Sequence, residues 1–71
     1  MKAASMGRWL VIYIAYGRRQ ADEIARLLSS EGFLPRVCPL GGETSDSTAF
    51  ELRVLAAEAA EARNFLLDRG L

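Results

Sequence analysis

Trp9-Leu10-Val11-Ile12-Tyr13-Ile14-Ala15-Tyr16 is an unbroken run of apolar and aromatic residues, and its reading decides the fold. A β-strand sends alternate side chains to opposite faces. One face would carry Trp9, Val11, Tyr13 and Ala15, and the other Leu10, Ile12, Ile14 and Tyr16. Both faces therefore require burial, yet the rest of the chain encodes only two short helices, enough to cover one of them. The second face asks for a cover that this chain does not encode, most simply a second copy of it.

Gly17 ends this strand, and from Arg18 to Glu31 the pattern turns helical. Ala21, Ile24, Ala25 and Leu28, with Leu27 beside them, recur at the spacing of a single helix face. Gly32 suits the left-handed position that ends a helix, and Phe33 or Leu34 can pack back over the last turn. Pro35–Leu40 is a second strand whose two prolines place it at a sheet edge. Gly41–Thr48 is polar throughout and reads as a connection. Ala49–Leu55 alternates, with Phe50, Leu52 and Val54 on one face and Glu51 and Arg53 on the other. From Ala56 to Asp68 the helical period returns, with Leu55, Ala59, Ala62 and Leu66 in line, Phe65 at the margin and Gly70 as a stop.

The expected order is β-α-β-β-α, in a single domain over residues 8–71 preceded by a loose terminus at residues 1–7. Strands one and two flank a helix and should run parallel, while the short Gly41–Thr48 connection makes strands two and three an antiparallel hairpin. The compact solution is an α+β two-layer sandwich. Its three-stranded sheet has strand three in the middle and both helices on one face. This is a ferredoxin-like unit without its last strand, which leaves the far edge of strand one unpaired. The expected helix-sheet interface comprises Leu10, Ile12, Ile14, Ile24, Leu27, Leu28, Leu52, Val54, Ala59, Ala62 and Leu66. Because both parities of strand one are apolar, its inward face is left open by the sequence.

At 71 residues the chain is near the size where one hydrophobic core gives only a few kcal/mol of stability. Cys38 is the sole cysteine and histidine is absent, which excludes an internal disulfide and a Cys/His zinc site. Association remains as the means of added stability. Nine basic residues balance nine acidic ones, so the basic footprint of a general nucleic-acid binder is missing. Residues 1–41 hold six Lys/Arg against three Asp/Glu and residues 42–71 the reverse, an asymmetry that salt screens at an exposed surface. The apolar run falls well short of the roughly 20 residues that span a bilayer, and no small-residue cleavage site follows it. A cytoplasmic protein without membrane association is the expectation.

Val11-Ile12-Tyr13, Ala15, Arg18, Ala21, Ile24, Leu27-Leu28 and Glu31-Gly32 follow a VVY-A-R-A-I-LL-EG pattern. Phe50-Glu51-Leu52, Val54, Glu58-Ala59, Glu61-Ala62-Arg63 and Leu66 follow a closing VEV-V-DA-EAR-L pattern. In these runs the chain resembles a small prokaryotic family described as signal-transducing proteins, with a fold compared to that of the PII (GlnB-like) regulators. The resemblance implies that fold and a regulatory role, and it brings no catalytic residues. Two positions depart from the pattern: Tyr16-Gly17 replaces Pro-Asn at the first strand-helix turn, and Leu55 replaces a proline after strand three.

Catalytic materials are sparse. Without histidine there is no Ser-His or Cys-His pair, and the one lysine, Lys2, is a poor position for a Schiff base. Arg36 could lower the pKa of Cys38, but a lone strand cysteine ordinarily serves as a small packing residue. Glu58 and Glu61 read as solvated helix surface, and Asp22 and Glu23 as ion-pair partners of Arg26. Glu43 and Asp46 lack calcium-ligand spacing. No metal or cofactor is expected.

Gly17-Arg18-Arg19 is the sharpest chemical signal. A helix start offers free N–H groups and a positive dipole end, so two arginines there ask for a compensating anion. The Gly41–Thr48 connection occupies the position from which PII proteins project a partner-contacting loop, and Thr44, Ser45, Ser47 and Thr48 are modifiable hydroxyls. The expected function is a non-enzymatic regulatory or interaction module. It would self-associate through Trp9, Val11 and Tyr13, preferentially as a dimer. It would also bind a small anion at Gly17, Arg18 and Arg19, or a protein partner. A small-molecule-binding accessory domain of an enzyme is the alternative.

Overall fold

Phe50, Leu52 and Val54 are buried while Ala49, Glu51, Arg53 and Leu55 between them stay partly exposed, so β3 (Ala49–Leu55) has one face in the core. A computed structural model describes residues 8–41 and 48–71. Around β3 it places β1 (Trp9–Tyr16), α1 (Arg18–Ser30), β2 (Arg36–Pro39) and α2 (Ala59–Asp68), the last entered through a 3-10 turn at Ala56–Glu58. The element order is β-α-β-β-α. The terminus at residues 1–7 and most of the expected loop, residues 42–47, lie outside the described residues.

The sheet order is β1-β3-β2 with both pairings antiparallel, so strand three is central and β1 and β2 share a direction without touching. α1 contributes Ala21, Ile24 and Leu28 and α2 contributes Ala59, Ala62 and Leu66 to the cluster that holds Phe50, Leu52 and Val54. Both helices therefore pack on the same face of the sheet. Alanine at four core positions lets the helix backbones approach the strands closely, and Leu28, Leu52, Leu66 and Val54 fill the centre. Burying each of these large side chains contributes about 1.5–3 kcal/mol.

β1 departs from simple alternation. Leu10 pairs with Val54 and Val11 with Arg53, but Tyr13 pairs with Leu52, so Ile12 is the additional residue of a β-bulge. Cross-strand partners share a face. Leu10 therefore lies on the helix side in the first half of the strand, and Tyr13 and Ala15 lie there in the second. Ile12 is 8% exposed and Ala15 fully buried. The opposite, helix-free side receives Trp9, Val11, Ile14 and Tyr16. This corrects the expected core at three positions: Ile14 faces away from the helices, Leu10 is exposed at the strand's start, and Leu27 is only half-buried. Ala15, Ala21 and Phe50 take their places. A strand that is apolar on both parities carries no signal for such a shift, because moving one residue simply exchanges two apolar sets.

Both helices end in Schellman motifs, as their glycines suggest. Gly32 has φ +94°, the Phe33 N–H donates to the Leu28 carbonyl at 3.0 Å, and the Gly32 N–H donates to Ser29 at 3.0 Å. Phe33 thereby turns back toward the core and meets Phe65 of α2, ring centres 6.1 Å apart, while Leu34 stays exposed. At the other end, the Leu71 N–H reaches the Leu66 carbonyl at 3.0 Å past Gly70.

Candidate functional site

Two surfaces hold the residues singled out by the sequence except Tyr13: the start of α1 and the helix-free face of the sheet.

Gly17 is the N-cap of α1, with φ +96° and ψ +142°, a region that side-chain-bearing residues rarely occupy. Its N–H donates to the Thr48 carbonyl at 2.7 Å, tying the turn to the start of β3. Gln20, in the first turn, reaches back and accepts the Tyr16 N–H at 2.7 Å, much as a capping-box residue does. No acidic residue lies in that turn. Arg18 sits 3.4 Å from Asp22 through its Nε, with its guanidinium 5.5 Å from the centre of the Phe50 ring. Arg19 is exposed to solvent. The two arginines are thus unequal. Arg18 is engaged by a carboxylate one turn along and by an aromatic ring, whereas Arg19 extends beside the helix dipole's positive end.

The helix-free face is apolar along β1 and charged across β2 and β3. Trp9, Val11, Ile14 and Tyr16 form the apolar stripe, with Leu55 opposite Trp9. Val11 is 38% and Tyr16 72% exposed. Arg36 and Arg53 are direct cross-strand neighbours, which on its own is repulsive. They separate by turning in opposite directions. Arg36 lies over the Trp9 ring at 4.4 Å, and Arg53 donates to Glu51 Oε1 from Nε at 2.9 Å and again from Nη2. The Glu51 hydrogen bond, and after it the carboxylate's charge, hold the Arg53 pKa above its ordinary value. Cys38, opposite Glu51 on this face, is a free, half-buried thiol. Trp9 and Val11 meet on this surface as expected. Tyr13 does not, because the bulge puts it opposite Leu52, partly buried against the core.

A shallow groove on the outer side of α1, lined by Glu23, Arg26, Leu27 and Ser30, includes none of Gly17, Arg18 and Arg19. Glu58 is less solvated than its helical position suggests, with Oε1 shielded and unbonded among the described residues. Among the described residues no cluster of three or more Cys, Asp or Glu side chains could hold a metal ion. No helix there is long and apolar enough to cross a membrane. Sequence reasoning missed Arg36, Ile14 and Tyr16 as members of the sheet surface. Arg36 could have been found from its place two residues before Cys38 on an edge strand, but Ile14 could not be placed without the bulge.

No protein family, curated protein or solved structure matches the chain.

Proposed function

We propose that this chain is a non-enzymatic interaction module that works as a self-associated unit. It would be a cytoplasmic regulator of the signal-transducing, GlnB-like kind that its sequence resembles, with a ferredoxin-like sheet lacking one strand. One observation carries this reading. The helices cover one face of the sheet, and Trp9, Val11, Ile14, Tyr16 and Leu55 are left on the other. An apolar stripe of this kind bordered by charged groups is characteristic of a contact surface. Trp9 and Tyr16 supply the aromatic area that dominates such contacts. The non-enzymatic reading is supported by the lack of histidine, by a lone cysteine on an edge strand, and by carboxylates dispersed along the chain.

A small anion at Gly17, Arg18 and Arg19 is a second element of the proposal, supported by an exposed Arg19 beside a helix start that has no acidic residue. Concentration-dependent unfolding tests the main reading. A protein stabilised by association melts at higher temperature as its concentration rises. A midpoint independent of concentration over a hundredfold range in the micromolar regime would count against it.

A further inference from the structure

Among the described residues β1 has no strand beyond β3 beside it, and its outer edge has a hydrogen-bonding pattern that selects a partner. In an antiparallel pair, residues that bond their direct partner alternate with residues whose N–H and C=O point away from it. Two bonds set the phase at the ends of β1. The Ala56 N–H donates to the Arg8 carbonyl at 2.9 Å, and the Gly17 N–H donates to the Thr48 carbonyl at 2.7 Å. Counting inward from Arg8, Leu10 bonds to β3 while Trp9 and Val11 turn outward. Counting back from Gly17, Ala15 and Tyr13 bond to β3 while Ile14 and Tyr16 turn outward. The Tyr16 N–H fits this phase, since it is taken by Gln20 rather than by β3. The bulge at Ile12 joins the two phases.

The outward-facing positions 9, 11, 14 and 16 are therefore symmetric about the point midway between Ile12 and Tyr13. A second β1, running antiparallel about a two-fold axis at that point, sets Trp9 against Tyr16 of the second copy and Val11 against Ile14 of the second copy. Every outward-facing position then meets another, Tyr16 through its carbonyl alone because Gln20 takes its N–H, and the two bulges coincide. A regular strand keeps a strict period of two and stays in phase with only half of this edge. The same four side chains lie on the helix-free face, so pairing also joins two apolar stripes and places aromatic rings across from each other.

The other edge of the sheet offers only the Val37 N–H as an outward donor. The Leu40 N–H donates to the Ala49 carbonyl at 3.0 Å, which sets the phase of β2. Arg36 and Cys38 then bond to β3, and Pro35, Val37 and Pro39 face out. Two of those three have no N–H to offer. With one edge able to pair, association closes at two copies.

We infer that two copies pair through β1 about a two-fold axis between Ile12 and Tyr13, forming one six-stranded sheet; this rests on the self-association proposed above. The test uses Val11→Cys/Ile14→Cys in a Cys38→Ser background. Hydrogen-bonded antiparallel partners have Cα atoms about 5.5 Å apart, within disulfide range. Within one strand the two positions are about 10 Å apart and cannot bridge. Under mild oxidation the double variant should convert mostly to a covalent dimer on a non-reducing gel. Either single variant should stay monomeric on that gel, since like positions on the two strands are offset by about 10 Å. A wild type of dimer mass whose double variant does not cross-link, or whose single variants cross-link equally well, overturns this register and leaves self-association standing. A monomeric wild type overturns both. In the unmodified protein, the Trp9, Val11 and Ile14 amides should exchange more slowly as concentration rises. Exchange there that ignores concentration, in a range where the mass doubles, places the interface elsewhere.

Discussion

Arg36 reaches from the edge strand β2 across central β3 to lie 4.4 Å from the centre of the Trp9 ring on β1. This contact spans the helix-free face and gives it two zones. One is a β1 stripe of Val11, Ile14 and Tyr16, with Trp9 at its margin under Arg36, and the other is a β2/β3 region where the Arg53–Glu51 pair lies. The cation over Trp9 also explains why that ring is only partly exposed although neither described helix packs on its side of the sheet.

Removing the cation uncovers the ring. Arg36→Ala should lower stability by about 0.5–1 kcal/mol, the usual range for an exposed cation–π pair. Emission from Trp9, the only tryptophan, should shift toward the red in the folded state. Urea unfolding followed by fluorescence reads both quantities. An unshifted spectrum with full stability means that the contact contributes nothing in solution.

Leu28 is fully buried between the two helices and the sheet. Leu28→Ala should cost about 2–5 kcal/mol, much of the stability of a domain this small. Far-UV circular dichroism during urea titration checks this, and a variant as stable as the wild type would place the core elsewhere.

The helix stripes, the C-terminal caps and the three strands were legible because each rests on a local pattern. Ala21, Ile24 and Leu28 repeat at helical spacing, Gly32 and Gly70 follow the last turns, and Phe50, Leu52 and Val54 alternate with Glu51 and Arg53. The bulge at Ile12 was not legible. Its cause is tertiary, since apolar residues on both parities of β1 let either set face the helices, and pairing with β3 decides between them. That one residue moved Ile14 onto the open face and Tyr13 off it. The unequal state of Arg18 and Arg19 was hidden for a similar reason, because Arg18 lies along Phe50, a residue distant in sequence.

That inequality makes a sharper prediction than a double substitution. Because Asp22 and Phe50 already engage Arg18, Arg19→Gln alone should remove most of any stabilisation by inorganic phosphate. Thermal shifts in phosphate, compared with chloride at matched ionic strength, decide it. Equal midpoints in the two salts for the wild type mean that the start of α1 holds no anion.

Gly17 is constrained by conformation rather than space, since a Cβ there would meet no atom within 4 Å while φ stays at +96°. Gly17→Ala should therefore cost about 1–3 kcal/mol through backbone strain. Chemical denaturation measures the loss, and a neutral substitution would show that the turn relaxes freely.

Self-association is the central claim, and mass in solution addresses it most directly. Light scattering during size exclusion at micromolar concentration should give twice the 7.8 kDa of one chain. Ile14→Lys, which sets a charge on the helix-free face, should return the mass to that of one chain while the far-UV spectrum keeps its folded form. A wild type that elutes as a single chain of 7.8 kDa across the micromolar range would contradict the account.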